Sequence, residues 1–180
     1  MISAGNHAAT QTGIGMIEVL VAIAISAFAL FALMGMQTAA LRYQKTAHLR
    51  ATASQFNADL ADRVRANIRG AHGGAYNLRR QAYPDIGESA PSCLGSSGCT
   101  PQELAAKDIH EWRTGLSQAM AGGWGEIAGS VAEGFMVKVY FLDSLTAGDA
   151  RNQLAKHCRP GAADLVLHKD VVCFATAFYP

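Results

Sequence analysis

Glu18 is the one acid in "GIGMIEVLVAIAISAFALFALMGM", Gly13 to Met36, and Ser26 is the only other polar side chain after Met16. At a helical rise of roughly 1.5 Å per residue, Met16 to Met36 would reach ~31 Å, the thickness of a bilayer's hydrocarbon core. An ionisable group inside a membrane is costly, about 2.5–3.5 kcal/mol for a central Asp, and marks function by default. Two readings compete with a membrane span. A buried helix of a soluble protein rarely runs so far without a polar face. A cleaved secretory signal has a shorter apolar core and an upstream Lys or Arg, which this chain lacks.

Other residue types able to do chemistry are sparse. The cysteines lie beyond the apolar run in two close pairs, Cys93 with Cys99 in "CLGSSGC" and Cys158 with Cys173. An even count in an exported domain suggests disulfides in an oxidising compartment such as a periplasm. Pairing within each close pair is expected, while four cysteines allow three connectivities. Neither pair has the C-x2-4-C spacing of a zinc knuckle. The histidines (His7, His48, His72, His110, His157, His168) are scattered, and "HEW" at His110 lacks the second histidine of H-E-x-x-H. No phosphate loop and no G-x-S-x-G elbow occur, and "TAGDARNQ" around Asp149 lacks the alternating acids of a calcium loop. No catalytic, cofactor-binding or metal-binding residue is expected, and the chain does not read as an enzyme.

Length and charge frame the elements that must position Glu18 and the cysteines. Of 180 residues, about 140 remain beyond the span, enough for one small globular unit. The net charge of +1 hides an asymmetry. Residues 42–80 hold Arg42, Lys45, Arg50, Arg63, Arg65, Arg69, Arg79 and Arg80 against Asp59 and Asp62, whereas residues 81–180 are acidic overall. Such a split reads as a basic patch for nucleic acid or lipid, or as a solvated helix face meeting an acidic partner in one assembly.

From Gln37 to Arg69 no glycine or proline intervenes, and Leu41, His48 or Leu49, Ala53, Phe56, Leu60, Val64 and Ile68 recur at three- and four-residue steps. One helix is therefore expected from about Ile14 to Arg69, ended by "RGAHGGAYN". After a Gly/Ser/Pro-rich connection, "TPQE" reads as a helix start, with Thr100 as N-cap, Pro101 in first position and Glu103 closing a capping box. That helix should stop at Gly122-Gly123 and face the core with Leu104, Ala105, Ile109, Trp112, Leu116 and Met120. Strands are expected at Phe135–Leu142, Asp164–His168 and Val171–Phe178, with "GEIAGSV" as a possible fourth. The layout is α+β, an antiparallel meander laid against a helix.

The opening motif, Gly13 followed by "IGMIEVLVAIAI", resembles the prepilin signature of type IV pilin-like proteins. The resemblance implies cleavage between Gly13 and Ile14, methylation of the new Ile14 amine, and Glu18 as the fifth mature residue. A cut after Gly15 would misplace the acid. Three further stretches are similar to the PilV type of minor pilin, the type IV pilus modification family: "DLADRVRAN" (Asp59–Asn67), "AYN" (Ala75–Asn77) and "CLGSSGCTPQELAAKDIHEW" (Cys93–Trp112). The fold implied is type IV pilin-like, a long N-terminal helix packed on a small antiparallel sheet domain with an extra helix. Residues 1–13 would be the leader, 14–36 the membrane half of the helix, 37–69 its amphipathic half, and 70–180 a periplasmic domain.

The function implied is that of a minor pilin held in the inner membrane by a single pass and incorporated into, or priming, a pilus at the cell surface. The partners implied are other minor and major pilins, a prepilin peptidase, the inner-membrane assembly platform and membrane lipid. Glu18 would pair with the amine of a neighbouring subunit during assembly, with pairing to its own Ile14 amine as the alternative. Arg42 and Lys45 lie beyond the span, so a positive-inside count alone would reverse the helix; the motif and the cysteines outweigh it. Major pilins tend to carry a proline in the apolar stretch, and Gly35 is the only breaker here, as suits a minor component. Two other readings share features of the chain, a minor pseudopilin of type II secretion and a DNA-receptor pilin. The second is the less favoured, because Tyr43, Phe56 and Tyr76 are the only aromatics among the basic residues and nucleic acid is not an expected partner.

Overall fold

The computed structural model describes residues 13, 15–77, 90, 92–93, 98–143 and 171–180. Their elements are α1 (Met16–Ala66), α2 (Ile68–His72), α3 (Pro101–Ala119), β1 (Trp124–Ser130), β2 (Gly134–Leu142) and β3 (Val171–Phe178). This is the expected α+β, pilin-like layout. The possible fourth strand is real as β1, whereas the expected strand at Asp164–His168 and the Asp149 loop lie outside the described residues. The chain divides into a unit ending at Tyr43 and a second from Gln44 to Pro180.

Within the first unit α1 passes through Gly35 without a break, and a Cβ at that position would meet nothing within 4 Å. Its apolar side chains are bare: Met16, Phe28, Phe31 and Met36 are each at least 70% exposed. The most apolar 18-residue window has a mean hydropathy of 2.6 and buries none of its residues. The buried-helix reading therefore does not hold for this chain.

Within the second unit the remaining turns of α1 bury Ala53, Asn57, Leu60, Ala61 and Val64. The stripe foreseen from the sequence is narrower in fact. Leu41 and Ile68 are exposed and Leu49 and Phe56 half-buried, while Asn57, a polar residue, takes a core position. Its amide donates to Thr176 Oγ1 at 2.8 Å, and Thr46 donates to Asp143 Oδ2 at 3.0 Å. Both bonds join α1 to the sheet region; the Asn57 amide N–H is satisfied, while its Oδ1 is buried without a hydrogen-bond partner among the described residues.

The first helix ends three residues before the expected Arg69. Asn67 leaves helical geometry (φ −110°, ψ 52°) and caps α2, its side chain accepting from Gly70 N–H at 3.2 Å. Its amide donates to the Tyr76 hydroxyl at 3.2 Å and to the Pro101 carbonyl at 2.7 Å. A short amide side chain that finds local partners competes with the helical ladder and stops it. Gly70 is required there, since a Cβ would lie 2.7 Å from the Pro101 oxygen. Two residues after α2, Gly74 supplies the left-handed turn (φ +74°).

The sheet has the order β1-β2-β3, antiparallel throughout. Phe135, Val137, Val139 and Phe141 alternate inward from β2 onto α1 and α3 residues such as Leu60 and Trp112. On the opposite face Trp124, Tyr140 and Val171 make a second cluster, with Trp124 directly across from Tyr140. The α3 face contains Ala105, Ile109, Trp112 and Leu116 as expected, while Leu104 is only half-buried; α3 stops at Ala119, short of the expected Gly122-Gly123, and Met120, its extended C-cap, is buried beyond it. Trp112 is its largest member and donates Nε1–H to the Phe56 carbonyl at 2.9 Å. Its ring lies where a Cβ on Gly125 would be, which ties α3 to both α1 and β1.

Gly125→Ala should therefore drive a methyl into the Trp112 ring and destabilise the second unit by about 1–3 kcal/mol. Gly35→Ala, with open space around it, should leave that unit's unfolding midpoint unchanged. Urea denaturation of the detergent-solubilised chain checks both, because Trp112 and Trp124 are each 1% exposed and their emission shifts on unfolding.

Candidate functional site

The sequence places its candidate chemistry at the start of α1, and the structure separates what is satisfied there from what is not. Gly13 is exposed and Ile14 lies outside the described residues, so the scissile pair has no geometry to report. Glu18 sits in the first turn, exposed, with its own N–H bonded to the Gly15 carbonyl at 3.0 Å. Ser26 donates to the Ala22 carbonyl at 2.8 Å and is satisfied by its own helix. Glu18 has no side-chain partner among the described residues.

Glu18, Ala22 and Ser26 share one side of the helix, in a shallow apolar concavity lined also by Val19, Ile23, Ala27 and Leu30. A carboxylate in a first helical turn gains about 0.3–1 kcal/mol from the helix dipole. Insertion scales charge a carboxylate at the centre of a span about 2.5–3.5 kcal/mol, whereas Glu18 stands at the start of the apolar run. A full counter-charge at 4 Å is worth roughly 4 kcal/mol at an effective dielectric near 20.

A second set of residues converges in the second unit. Arg63 donates to Asp59 at 2.9 Å, to Glu111 at 2.8 Å and, more loosely, to Asp108 at 3.4 Å. Asp108 also accepts from the Tyr76 hydroxyl at 2.5 Å, and Tyr76 in turn accepts from Asn67. Every one of these residues comes from the three stretches that carried the family resemblance. "DLADRVRAN" supplies Asp59, Arg63 and Asn67, "AYN" supplies Tyr76, and "KDIHEW" supplies Asp108 and Glu111. They meet at a junction of α1, α2 and α3, where they brace the three helices together.

The electrostatics agree with that reading. Partial burial works against the Arg63 charge, but hydrogen bonds to Glu111 and Asp59 outweigh it and raise the guanidinium above its already high range. The Arg63 hydrogen bond holds the Glu111 carboxyl below the usual range. Burial, then the bond to Asp108, pushes the Tyr76 phenol well above the ordinary tyrosine value. Sequence reasoning missed Asp108 and Arg113, both buried on the inner side of α3. Arg113 donates Nε–H to the Gly125 carbonyl at 2.9 Å and lies 4.8 Å from the Trp124 ring centroid. The signal was present: a charge flanking the apolar positions of an amphipathic helix needs a partner when buried.

The start of α3 is built as expected. Thr100 N–H donates to Glu103 Oε2 at 2.8 Å, and Glu103 N–H donates to Thr100 Oγ1 at 3.2 Å. Immediately before the cap, Cys93 and Cys99 are joined in a disulfide with Cα atoms 4.9 Å apart. Cys173 is also disulfide-bonded, and Cys158, its expected partner, lies outside the described residues. Among the described residues no group of His, Cys, Asp and Glu is placed to hold a metal. No protein-family model, curated protein or solved structure matches the chain.

Two outcomes follow from the junction and the disulfide. Tyr76 titrates above its unfolded value, so the stability it contributes is complete below about pH 10 and is lost as pH rises beyond it. Tyr76→Phe should cost about 1–3 kcal/mol at neutral pH and flatten part of the alkaline fall in a pH series of urea midpoints. Separately, Cys93→Ser with Cys99→Ser should lower stability by about 2 kcal/mol, checked by the same denaturation beside nonreducing peptide mapping.

Proposed function

We propose that the chain is a minor pilin of a type IV pilus, processed between Gly13 and Ile14 and passed from the inner membrane into the filament. One observation carries the reading. An exposed apolar helix of membrane length holds a single unpartnered carboxylate, five residues beyond a glycine and one turn from the amine that cleavage would create. The continuation of α1 to Ala66 supports it, because a secretory signal ends within a far shorter apolar stretch. In this reading the second unit is periplasmic, consistent with its disulfides, and its partners are other pilins, a prepilin peptidase and the assembly platform. Glu18 is the assembly residue: its carboxylate takes the methylated amine of a neighbouring subunit as that subunit leaves the bilayer, which sets axial position.

Processing is tested by N-terminal peptide analysis of the membrane-extracted protein, where the first residue should be methylated Ile14. A chain beginning at Met1, or cut after an A-x-A-type sequence, would remove the pilin reading. Assembly is tested with Glu18→Ala. That variant should insert, accumulate and be cleaved, because removing the acid lowers the insertion cost. Its amount in sheared pili relative to membranes should fall by at least tenfold against the native chain. Equal incorporation would leave Glu18 without a directing role.

A further inference from the structure

We propose that residues 42–50 of α1 form a binding surface for anionic phospholipid headgroups; this rests on the membrane reading of the preceding section. The positive charge of residues 42–80 looks uniform in sequence, and the structure divides it. Arg63 is matched by Asp59, Asp108 and Glu111, and Arg65 by Asp62. Arg42, Lys45 and Arg50 are exposed and have no hydrogen bond or ion pair among the described residues. No acid occurs between Glu18 and Asp59 in the sequence, and Asp143, the carboxylate that reaches this part of α1, accepts from Thr46.

The first of these cations, Arg42, follows directly on Leu41, which ends the apolar stretch and is 66% exposed. Tyr43, 78% exposed, lies between the first two. An exposed tyrosine beside arginine and lysine at the end of an apolar span is the composition of a membrane–water interface, where the ring sits at headgroup depth. In sequence Lys45 lies four residues and Arg50 nine residues beyond Leu41. The layer of phosphates is therefore within reach of Arg42 and Lys45 and at the edge of reach for Arg50. Attraction between such cations and an anionic leaflet is worth about fivefold in affinity per charge and fades within a Debye length.

The test uses the full chain in a neutral detergent, with native mass spectrometry counting bound phosphatidylglycerol and phosphatidylcholine. The native chain should prefer phosphatidylglycerol by about 25-fold or more, and the preference should weaken in 0.5 M salt. Arg42→Gln with Lys45→Gln should remove about 25-fold, Arg50→Gln less than fivefold, and Arg69→Gln, farther along the chain, nothing. Tryptophan emission verifies that each variant remains folded. No preference in the native chain, or a preference retained in the double variant, overturns the proposal. So does displacement of phosphatidylglycerol by polyglutamate at equal charge, which would make an acidic protein surface the occupant. Flotation with phosphatidylcholine vesicles separates this from the reading it rests on. A chain that floats without discriminating headgroups defeats the lipid surface alone, and one that does not float defeats the membrane reading itself.

Discussion

The second unit depends on a single contact, the seating of Trp112 between α1 and β1. Its indole N–H is bonded to the Phe56 carbonyl, and its ring occupies the space that Gly125 leaves open. Phe56 answers from the other side, its ring edge 2.7 Å from where a Cβ on Gly115 would stand. Two large rings are thus accommodated by two glycines, and three elements are brought to close approach at once. In a close-packed interior such fits tolerate little change in volume. The rest of the core, Leu60, Val64, Ile109, Leu116 and the inward row of β2, fills around that arrangement.

A polar brace fixes the end of the unit where α1 stops. Asn67 satisfies the cap of α2, the Tyr76 hydroxyl and the Pro101 carbonyl together, so one amide couples the end of α1 to the start of α3. Asp108 receives Tyr76 and Arg63 from the same side. The capping box at Thr100 and the disulfide at Cys99 then hold the first turn of α3 from outside. Buried polar networks of this kind are stabilising only when every member is satisfied, and the Asn67, Tyr76 and Asp108 set meets that condition. The stretches "DLADRVRAN", "AYN" and "KDIHEW", distant in sequence, are the parts of one brace.

The first unit has the opposite character. It buries none of its most apolar window, its serine is satisfied internally, and its acid is not. The proposed exchange of partners, amine for carboxylate, needs such a helix, since a group already paired within its own chain would have nothing to offer a neighbour. Arg42, Lys45 and Arg50 have no ion pair among the described residues, whereas Arg63 and Arg65 are paired with acids that begin at Asp59.

Local order was legible in the chain because local rules decide it. The apolar run, the Thr100 cap with Pro101 and Glu103, the Gly74 turn, the Cys93–Cys99 pair and the β3 limits all follow from near-neighbour chemistry and period. The α+β class followed from their order. What tertiary structure decided were the exceptions to periodicity. Asn57 is buried and Leu41 is not, because a hydroxyl of β3 waits for the one and only open space surrounds the other. The helix breaks at Asn67 in place of running to Arg69, because Tyr76 and Pro101, distant in sequence, are there to take its amide. Asp108 and Arg113 enter the core because partners from α1, the turn after α2 and β1 arrive beside them. A polar side chain's fate is set by its partners, and partners remote in sequence are fixed only by the fold.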